Sequence, residues 1–203
     1  MSEDTNYLAR PLNEFLTDLG SRTPTPGGGS TAALVGALSA ALARMTVAYS
    51  AGKETFAEYA DRHAALLDEL AETVDAMGEL IAEDMAAYRQ YAAARRSDAA
   101  ARRGALERAI AVPMAIIDRT VALAARFDEF KEITNRYLLS DLAAAAELAL
   151  SAGRAAATSV RTNLAALNED DPAEAVRIGK QLDASLARLA RHRDAVARFQ
   201  AAH

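Results

Sequence analysis

Residues 30–51 constrain the fold most strongly, because they read as one helix that is apolar on every side. Arg44 is the only charged residue in the segment, and small residues recur along one flank at Ala32, Gly36 and Ala40. A helix without a polar face is normally buried, and small side chains let a neighbouring backbone approach closely. The segment therefore predicts a buried central helix with other helices packed tightly around it.

The rest of the chain predicts an all-α protein around that helix. Alanine, the best helix former, supplies 51 of the 203 residues, whereas valine and isoleucine together supply 14. Apolar periodicity predicts further helices at about 8–19, 54–95, 98–126, 140–167 and 172–200. The last of them has a strong start signal, because Asp171 is a cap, Pro172 occupies the first helical position and Glu174 completes a capping box. We expect a single domain, 1–203, folded as an up-and-down antiparallel bundle of about five to seven helices.

Charge and cysteine content exclude several classes of protein. A net charge of −5 leaves no basic excess for nucleic acid, and the absence of cysteine excludes disulfide frameworks and thiolate metal sites. The first residues are acidic where a secretory signal is basic, and no later run approaches about 18 uninterrupted apolar residues. We therefore expect a cytoplasmic protein that binds neither nucleic acid nor membrane. The histidines are isolated and do not have the spacing of metal ligands: His63, His192 and His203.

A loop rich in proline and glycine, Pro24-Thr25-Pro26-Gly27-Gly28-Gly29-Ser30, leads into the apolar helix. Its composition excludes regular structure, and Ser30 is predicted to cap the helix. The first N–H groups of a helix lie at the positive end of its dipole and suit an anionic or carbonyl oxygen. The loop lacks the spacing of a Walker phosphate loop, so a plain turn between helices is the alternative.

Asp84 is the strongest candidate for proton transfer. Its neighbours Ile81, Met85 and Ala87 make the surroundings partly apolar. Desolvation would raise the pKa of this carboxyl group and suit it to proton transfer near neutral pH. Tyr88 lies one turn further on the same helical face. The alternative is an ordinary carboxylate on a solvated face.

Five more polar residues stand out, each with a structural alternative. Asn135 lies in a connection, and Ser140 and Asp141 lie at the start of the next helix, where capping is the default role. Asn163 is an amide on an apolar stretch and should find a buried partner. Lys53 directly follows the apolar helix, where a cation favours the helix dipole.

Taken in order, these residues resemble one known family. The run Pro-x-Pro-Gly-Gly-Gly-Ser-x-Ala-Ala-Leu-x-Gly-Ala-Leu-x-Ala-Ala-Leu-x-x-Met, from Pro24 to Met45, resembles the opening of the formiminotetrahydrofolate cyclodeaminase and methenyltetrahydrofolate cyclohydrolase family. The agreement continues in the family's order over nearly the whole chain, at Gly52-Lys53, Asp84-x-x-Ala87-Tyr88, Val112-Pro113, Asn135 with Ser140-Asp141, and Asn163-Leu164.

The chain also departs from the family pattern in three places. Ala48-Tyr49-Ser50 stands where the family usually has Asn-Leu-Thr, and Thr134 stands where a glycine is usual. Ala94-Arg95-Arg96-Ser97 replaces a Leu-Pro-Lys element; if the family's lysine holds the folate glutamate tail, then either an arginine takes its place here or the ligand differs.

The resemblance implies an all-helical homodimer whose substrate is a tetrahydrofolate derivative, and we expect no metal or separate cofactor. Asp84 would transfer the proton, supported by Asp141 and Lys53, and Tyr88 would orient the pterin. The other substrate contacts would come from Pro26, Gly27, Gly28, Gly29, Ser30, Asn135, Ser140 and Asn163.

Three functions follow from the resemblance. Hydrolysis of 5,10-methenyltetrahydrofolate to 10-formyltetrahydrofolate is the main expectation, because no formiminotransferase domain is fused to supply a formimidoyl substrate. The alternative is a formimidoyltetrahydrofolate cyclodeaminase that releases ammonia. The second alternative is a helical dimer that binds folate without catalysis, which the missing Asn-Leu-Thr and Leu-Pro-Lys elements favour.

Overall fold

The computed structural model describes residues 7–202, and this part of the chain is an all-α bundle without strands, as predicted. Its six α-helices are α1 (Leu12–Leu19), α2 (Gly28–Ser50), α3 (Ala60–Ala94), α4 (Ala99–Ile133), α5 (Leu139–Asp170) and α6 (Pro172–Ala202). Short 3-10 turns lie at Tyr7–Ala9, Glu54–Tyr59 and Arg136–Leu138.

The N-terminal helix is shorter than its apolar periodicity predicts. Pro11 has extended backbone angles of φ −54° and ψ 135°, and α1 begins only after it. Phe15 is buried as expected, but Leu12 and Leu16 are 55% and 56% exposed. The predicted helix over 8–19 was therefore wrong at its start, and its leucine stripe packs only in part: Leu19 lies against the core, whereas Leu12 and Leu16 do not.

The two longest predicted helices also differ at their ends. Residues Glu54–Tyr59 form a 3-10 turn interrupted by the non-helical Phe56, with φ −123° and ψ 19°, so the α-helix predicted from residue 54 begins only at Ala60. Helix α4 continues through Pro113 and past the predicted end at residue 126 to Ile133. Buried Phe127 and Phe130 lie in that extension and hold it against the core.

Helix α2 lies between α3 and α5 and runs antiparallel to both. Ser30 bonds to Asp84 of α3, and Ser39 Oγ donates to the Ala145 carbonyl of α5 at 2.7 Å. Gly36 lies so close to Met77 that an added Cβ would sit 3.0 Å from its side chain. The small residues of α2 therefore permit the tight packing that the sequence predicts.

One face of α2 is nevertheless not buried, which corrects the expectation of a helix buried on all sides. A stripe of Thr31, Leu34, Leu38, Ala41, Met45 and Ala48 is half-buried or exposed, with Leu38 47% exposed. By length and hydropathy alone, α2 could also cross a membrane, and half of its most apolar window is buried in the bundle. In the described chain, the α2 stripe (these six residues) is an uncharged outer surface.

The start of α6 follows its sequence signal only in part. Asp171 Oδ1 accepts the Glu174 backbone N–H at 3.1 Å, so the predicted cap is present. The Glu174 carboxylate, however, is paired with Arg177 one turn later. The predicted capping box was therefore wrong in its second half, because a neighbouring guanidinium binds the carboxylate instead.

Candidate functional site

Asp84 projects from α3 onto the first turn of α2. Ser30 Oγ donates to Asp84 Oδ2 at 2.7 Å, and the Ser30 backbone N–H also donates to this carboxylate. The flanking residues Ile81, Met85 and Ala87 are all buried, so the apolar surroundings predicted for Asp84 are present. Burial raises the pKa of Asp84 above its ordinary value, and the two Ser30 hydrogen bonds oppose that rise. The result is a half-buried carboxyl group that holds a proton more readily than an exposed aspartate does.

Ser30 does not cap α2, which corrects the sequence-based expectation. The capping residue is Gly27, and Gly28 and Gly29 form the start of the helix. Because Ser30 is already inside the first turn, its hydroxyl group points to Asp84 rather than to its own helix. At Ser30, the oxygen ligand predicted for the N-terminus of α2 is therefore the carboxylate of Asp84.

Gly29 is required by the closeness of α3. A Cβ built on Gly29 would lie 2.0 Å from Asp84 Oδ1, well inside van der Waals contact. Gly28, one residue earlier, has nothing within 4 Å of the equivalent position. Gly29 thus admits Asp84 to the helix terminus, while Gly28 borders open space.

The glycine loop is anchored on one side and accessible on the other. Pro26 follows a cis peptide bond and is buried, as is Thr25, whose Oγ1 accepts a long hydrogen bond of 3.5 Å from Arg89 Nη1. Gly27 and Gly28 remain accessible to solvent. Sequence reasoning missed Arg89, because the contact joins residues 64 positions apart and nothing near Arg89 in the sequence indicates it.

Two further predicted features lie at the same end of the bundle as Asp84. Tyr88 is 49% exposed, so its ring is available to a ligand. Arg95 and Arg96 are exposed in the turn that follows α3. The arginines lie about 16 Å beyond Asp84 along α3, at the same end of the bundle. We call the glycine loop, Asp84, Tyr88 and these arginines the Asp84 end.

Three other predicted site residues lie away from it, around the C-terminus of α2. Lys53 is exposed, with its N–H directed to the Ser50 carbonyl at 3.4 Å, and Ser140 is exposed at the start of α5. The Asn135 N–H donates to Ser50 Oγ at 2.9 Å, and Asn135 Oδ1 accepts the Tyr137 N–H at 3.1 Å. Asn135 thus caps the turn before α5. Capping is the structural role that the sequence allows as the alternative to a substrate contact. We call this region the Lys53 end.

The two ends are far apart within one chain. Ser30 marks the Asp84 end and Ser50 the Lys53 end, and twenty helical residues at 1.5 Å each separate them by about 30 Å. Asp141 lies one turn before Ala145, whose carbonyl accepts the hydrogen bond from Ser39 of α2. Asp141 is therefore about 20 Å from Ser30 along the bundle. A single chain therefore does not bring Lys53, Asn135 or Asp141 to Asp84.

Asn163 has the buried partner that the sequence predicts. Its Nδ2 donates to the Ala109 carbonyl at 2.7 Å. Pro113 has no N–H to offer that carbonyl, which lies four residues earlier in α4. Asn163 replaces the hydrogen bond that Pro113 removes, and this accounts for both residues without a substrate.

The histidines occupy structural positions in the described chain. His63 is 1% exposed, and its Nε2 forms a hydrogen bond with the Ile133 carbonyl at 3.0 Å. His192 Nδ1 lies 3.0 Å from Asp128 Oδ2, and His203 lies outside the described residues. Within residues 7–202, no group of three or more His, Cys, Asp or Glu side chains is placed to hold a metal ion.

A cavity of about 400 Å³ opens between α4 and α6. It contains none of the predicted site residues, and its walls are apolar at Ile110, Met114 and Ile178. The charged groups at its rim include Arg103, which is already paired with Glu107 and Asp171. The cavity is separate from the Asp84 end.

Comparison with known proteins finds relatives of this chain in one family. The family model described as formiminotransferase-cyclodeaminase matches residues 11–182. Formimidoyltransferase-cyclodeaminase from Rattus norvegicus is 30% identical over 179 residues, covering 82% of this chain and 33% of the relative. The Gallus gallus protein of the same name is 32% identical over 89 residues, covering 44% of this chain and 16% of the relative. The chain thus spans a third or less of the length of these curated relatives.

A solved structure matches over almost the whole chain. Formiminotetrahydrofolate cyclodeaminase from Thermotoga maritima superposes with a TM-score of 0.90 at 26% sequence identity. The match covers 95% of this chain and 96% of the other. The bundle described above is therefore a complete unit in that protein.

Proposed function

Because the chain belongs to the formiminotransferase-cyclodeaminase family, we propose that it is a formimidoyltetrahydrofolate cyclodeaminase. Its relatives and its structural neighbour carry cyclodeaminase names, and they support this alternative better than hydrolysis of methenyltetrahydrofolate. In the proposed reaction, N10 of the substrate attacks the formimidoyl carbon attached to N5. The proton on N10 passes to the terminal nitrogen, and an acid group of the protein donates a second proton to it. The bond from the carbon to that nitrogen then breaks, leaving the 5,10-methenyltetrahydrofolate cation, ammonia and the deprotonated acid group.

Asp84 is the observation that carries this proposal. Expulsion of ammonia needs an acid that protonates the departing nitrogen, because an amide anion does not leave. Burial raises the pKa of Asp84, so the group keeps its proton at a higher pH than an exposed aspartate. Ser30 holds the carboxyl group in one orientation, which fixes the position of that proton.

The surroundings of Asp84 suit a folate. The accessible N–H groups of Gly27 and Gly28 can donate to pterin or carboxylate oxygens, and Tyr88 offers an exposed ring for the pterin. Arg95 and Arg96 can bind the carboxylates of the glutamate tail in place of the family's lysine. Pro26, Gly29 and Ser30 act indirectly in this proposal, since all three are buried. Asn163 acts by supporting α4.

The proposal includes a homodimer in the cytoplasm that uses no metal or separate cofactor. A proton-transfer reaction of this kind requires only an acid and an oriented substrate. The unpaired apolar stripe of α2 supports self-association.

The test is an assay of the purified protein with two substrates. With formimidoyltetrahydrofolate, we expect the methenyl chromophore to appear and one ammonia to be released for each methenyl group formed. Loss of the chromophore from added methenyltetrahydrofolate, with no reaction of the formimidoyl compound, would identify a cyclohydrolase instead. No change with either substrate, together with measurable folate binding, would identify the non-catalytic alternative.

A further inference from the structure

The cavity between α4 and α6 has no role in the proposed function. Its volume of about 400 Å³ falls within the range of about 300–1,000 Å³ that small-molecule sites occupy. None of the residues that line it belongs to α3 or to the glycine loop, so a ligand here would not take the place proposed for the folate. We call it the α4–α6 cavity, and its lining includes Ile110, Ala111, Met114, Asp118 and Ile178.

Small side chains on α4 leave room for this cavity. Ala111 and Ala115 lie one turn apart, and both line it where longer side chains would fill the gap. Around them, Met114 of α4, Ile178 of α6 and the buried Leu167 of α5 form apolar walls. Such walls suit an apolar ring or chain, because burying it against them releases water from both surfaces.

Four charged side chains also line the cavity, and three of them are already paired. Arg103 binds Glu107 at 2.6 Å and Asp171 at 3.2 Å, and Glu174 binds an arginine one turn later in α6. The fourth is Asp118, which forms neither a hydrogen bond nor an ion pair with any other part of residues 7–202. Asp118 is therefore the charged group of the cavity that is available to a ligand.

The surroundings of Asp118 are those of a carboxylate that lacks a counterion. The neighbouring protein removes part of its water and raises its pKa, and Arg188 opposes that rise from beyond ion-pair distance. Asp118 is nevertheless accessible to solvent, so a ligand can reach it. A partly desolvated carboxylate gains more from a cation than one in free water does.

We propose that the α4–α6 cavity binds a small organic cation, with an apolar ring or chain against the walls and an ammonium group on the carboxylate of Asp118. Gln181 also lines the cavity, and its amide oxygen can accept a second N–H of the ammonium group. The ligand class is an amine with an apolar body. This site goes beyond the proposed function and does not rest on it.

Charge complementarity favours a cation over the two other classes of ligand. An anion would meet three carboxylates, those of Glu107, Asp118 and Glu174, and the lining guanidinium of Arg103 is already bound by two carboxylates. A neutral apolar molecule would displace water from Asp118 and offer nothing in its place. An amine satisfies both the walls and the carboxylate.

The first experiment compares three probes that share one ring system and differ in the head group. Tryptamine carries an ammonium group, tryptophol a hydroxyl group and indole-3-propionate a carboxylate. Because the chain has no tryptophan, the fluorescence anisotropy of the indole ring reports binding without an indole background from the protein. We expect tryptamine to bind about tenfold more tightly than tryptophol, through one charge-assisted hydrogen bond, and indole-3-propionate to bind most weakly. No binding of tryptamine, or binding of either other probe as tightly as tryptamine, would overturn the proposal.

The second experiment locates the probe with three variants whose folding is checked by circular dichroism. Asp118→Asn should weaken tryptamine about tenfold and leave tryptophol unchanged, because only the ammonium group loses its partner. Asp68→Asn makes the same change at an exposed position on α3 and should alter neither affinity. Ala111→Leu adds a larger side chain to the cavity from an accessible position and should weaken both probes. Wild-type affinity for tryptamine in Asp118→Asn or in Ala111→Leu would place the probe elsewhere and overturn the proposal.

Probe binding and turnover separate this inference from the proposed function. If wild-type protein does not convert formimidoyltetrahydrofolate, the proposed function fails while the probe affinities still decide the cavity. If wild-type protein is active but its affinity for tryptamine does not depend on Asp118, the proposed function stands and the cation site is wrong.

Discussion

The two ends of α2 differ in how the chain uses its polar residues. At the Asp84 end, a carboxyl group is partly buried against a helix terminus, and burial raises its pKa. At the Lys53 end, Lys53 and Ser140 are exposed, and Asn135 satisfies backbone groups of its own turn. Of the two ends, the Asp84 end holds the partly buried carboxyl group with the raised pKa. The Lys53 end offers an exposed cation and an exposed hydroxyl group.

The largest effect should come from removing the acid at the Asp84 end. Asp84→Asn keeps the size of the side chain but has no proton to transfer, so turnover should fall by about 10²–10⁴-fold. Glu83→Gln, at an exposed position next to it, is the matched control and should stay within about twofold of wild type. Steady-state rates of methenyl formation measure both. Equal rates in Asp84→Asn and Glu83→Gln would contradict a catalytic role for Asp84.

Gly29→Ala should disturb the same end through packing. The new Cβ would lie 2.0 Å from Asp84 Oδ1, so the carboxylate must move away from Ser30. We expect a loss of about 1–3 kcal/mol in the free energy of unfolding, as for other overpacked sites. Gly28→Ala meets nothing within 4 Å and should cost less than about 0.5 kcal/mol. Urea denaturation of both variants tests the difference, which would disappear if Asp84 did not contact the helix terminus.

Lys53→Ala should affect activity without affecting stability. Lys53 is exposed, and loss of one charge-assisted hydrogen bond to the substrate, about 1.5 kcal/mol, corresponds to a fall of about tenfold in kcat/KM. The free energy of unfolding should not change. Lys180→Ala, at an exposed position on α6, is the control and should leave both quantities unchanged. A Lys53→Ala variant that unfolds more easily but keeps its kcat/KM would assign Lys53 a structural role.

The smallest effect should come from the hydrogen bond between Asn163 of α5 and the Ala109 carbonyl of α4, which Pro113 leaves without its usual backbone donor. Asn163→Ala removes the donor to the Ala109 carbonyl and should cost about 1 kcal/mol of unfolding free energy. In a Pro113→Ala background the restored N–H can reach that carbonyl, so the same change should cost less. A double-mutant cycle by denaturant unfolding measures the difference. Equal costs in both backgrounds would show that the two residues are independent.

Local patterns in the sequence predicted the parts of the fold that depend on local chemistry. Alanine content and periodicity predicted the helices, and the apolar neighbours of Asp84 correctly predicted its desolvation. Asn163 was predicted to find a buried partner, and it does. The helices and the apolar surroundings of Asp84 follow from residues one or two turns apart, whereas the partner of Asn163 lies on another helix, at Ala109, and its identity did not follow from the sequence.

The errors arose where a contact joins distant segments. Nothing near Ser30 in the sequence indicates that a carboxylate 54 positions later accepts its hydroxyl, so Ser30 was taken for a cap. Hydrophobicity alone could not distinguish an apolar face packed in the bundle from one left outside, as the α2 stripe shows. The family motifs assign Asp84, Lys53 and Asp141 to one site, and that assignment stays a prediction, because a single chain does not bring the three residues together.

The pH dependence of formimidoyltetrahydrofolate turnover tests the assignment of Asp84 most directly. An acid works only while it is protonated, so kcat should be constant at low pH and fall as pH rises through the raised pKa of Asp84. The falling limb should lie above the range of an ordinary aspartate and should be missing from the residual activity of Asp84→Asn. A rate that instead rises with pH over that range, or a falling limb that persists in Asp84→Asn, would contradict the proposal that Asp84 donates the proton to the departing nitrogen.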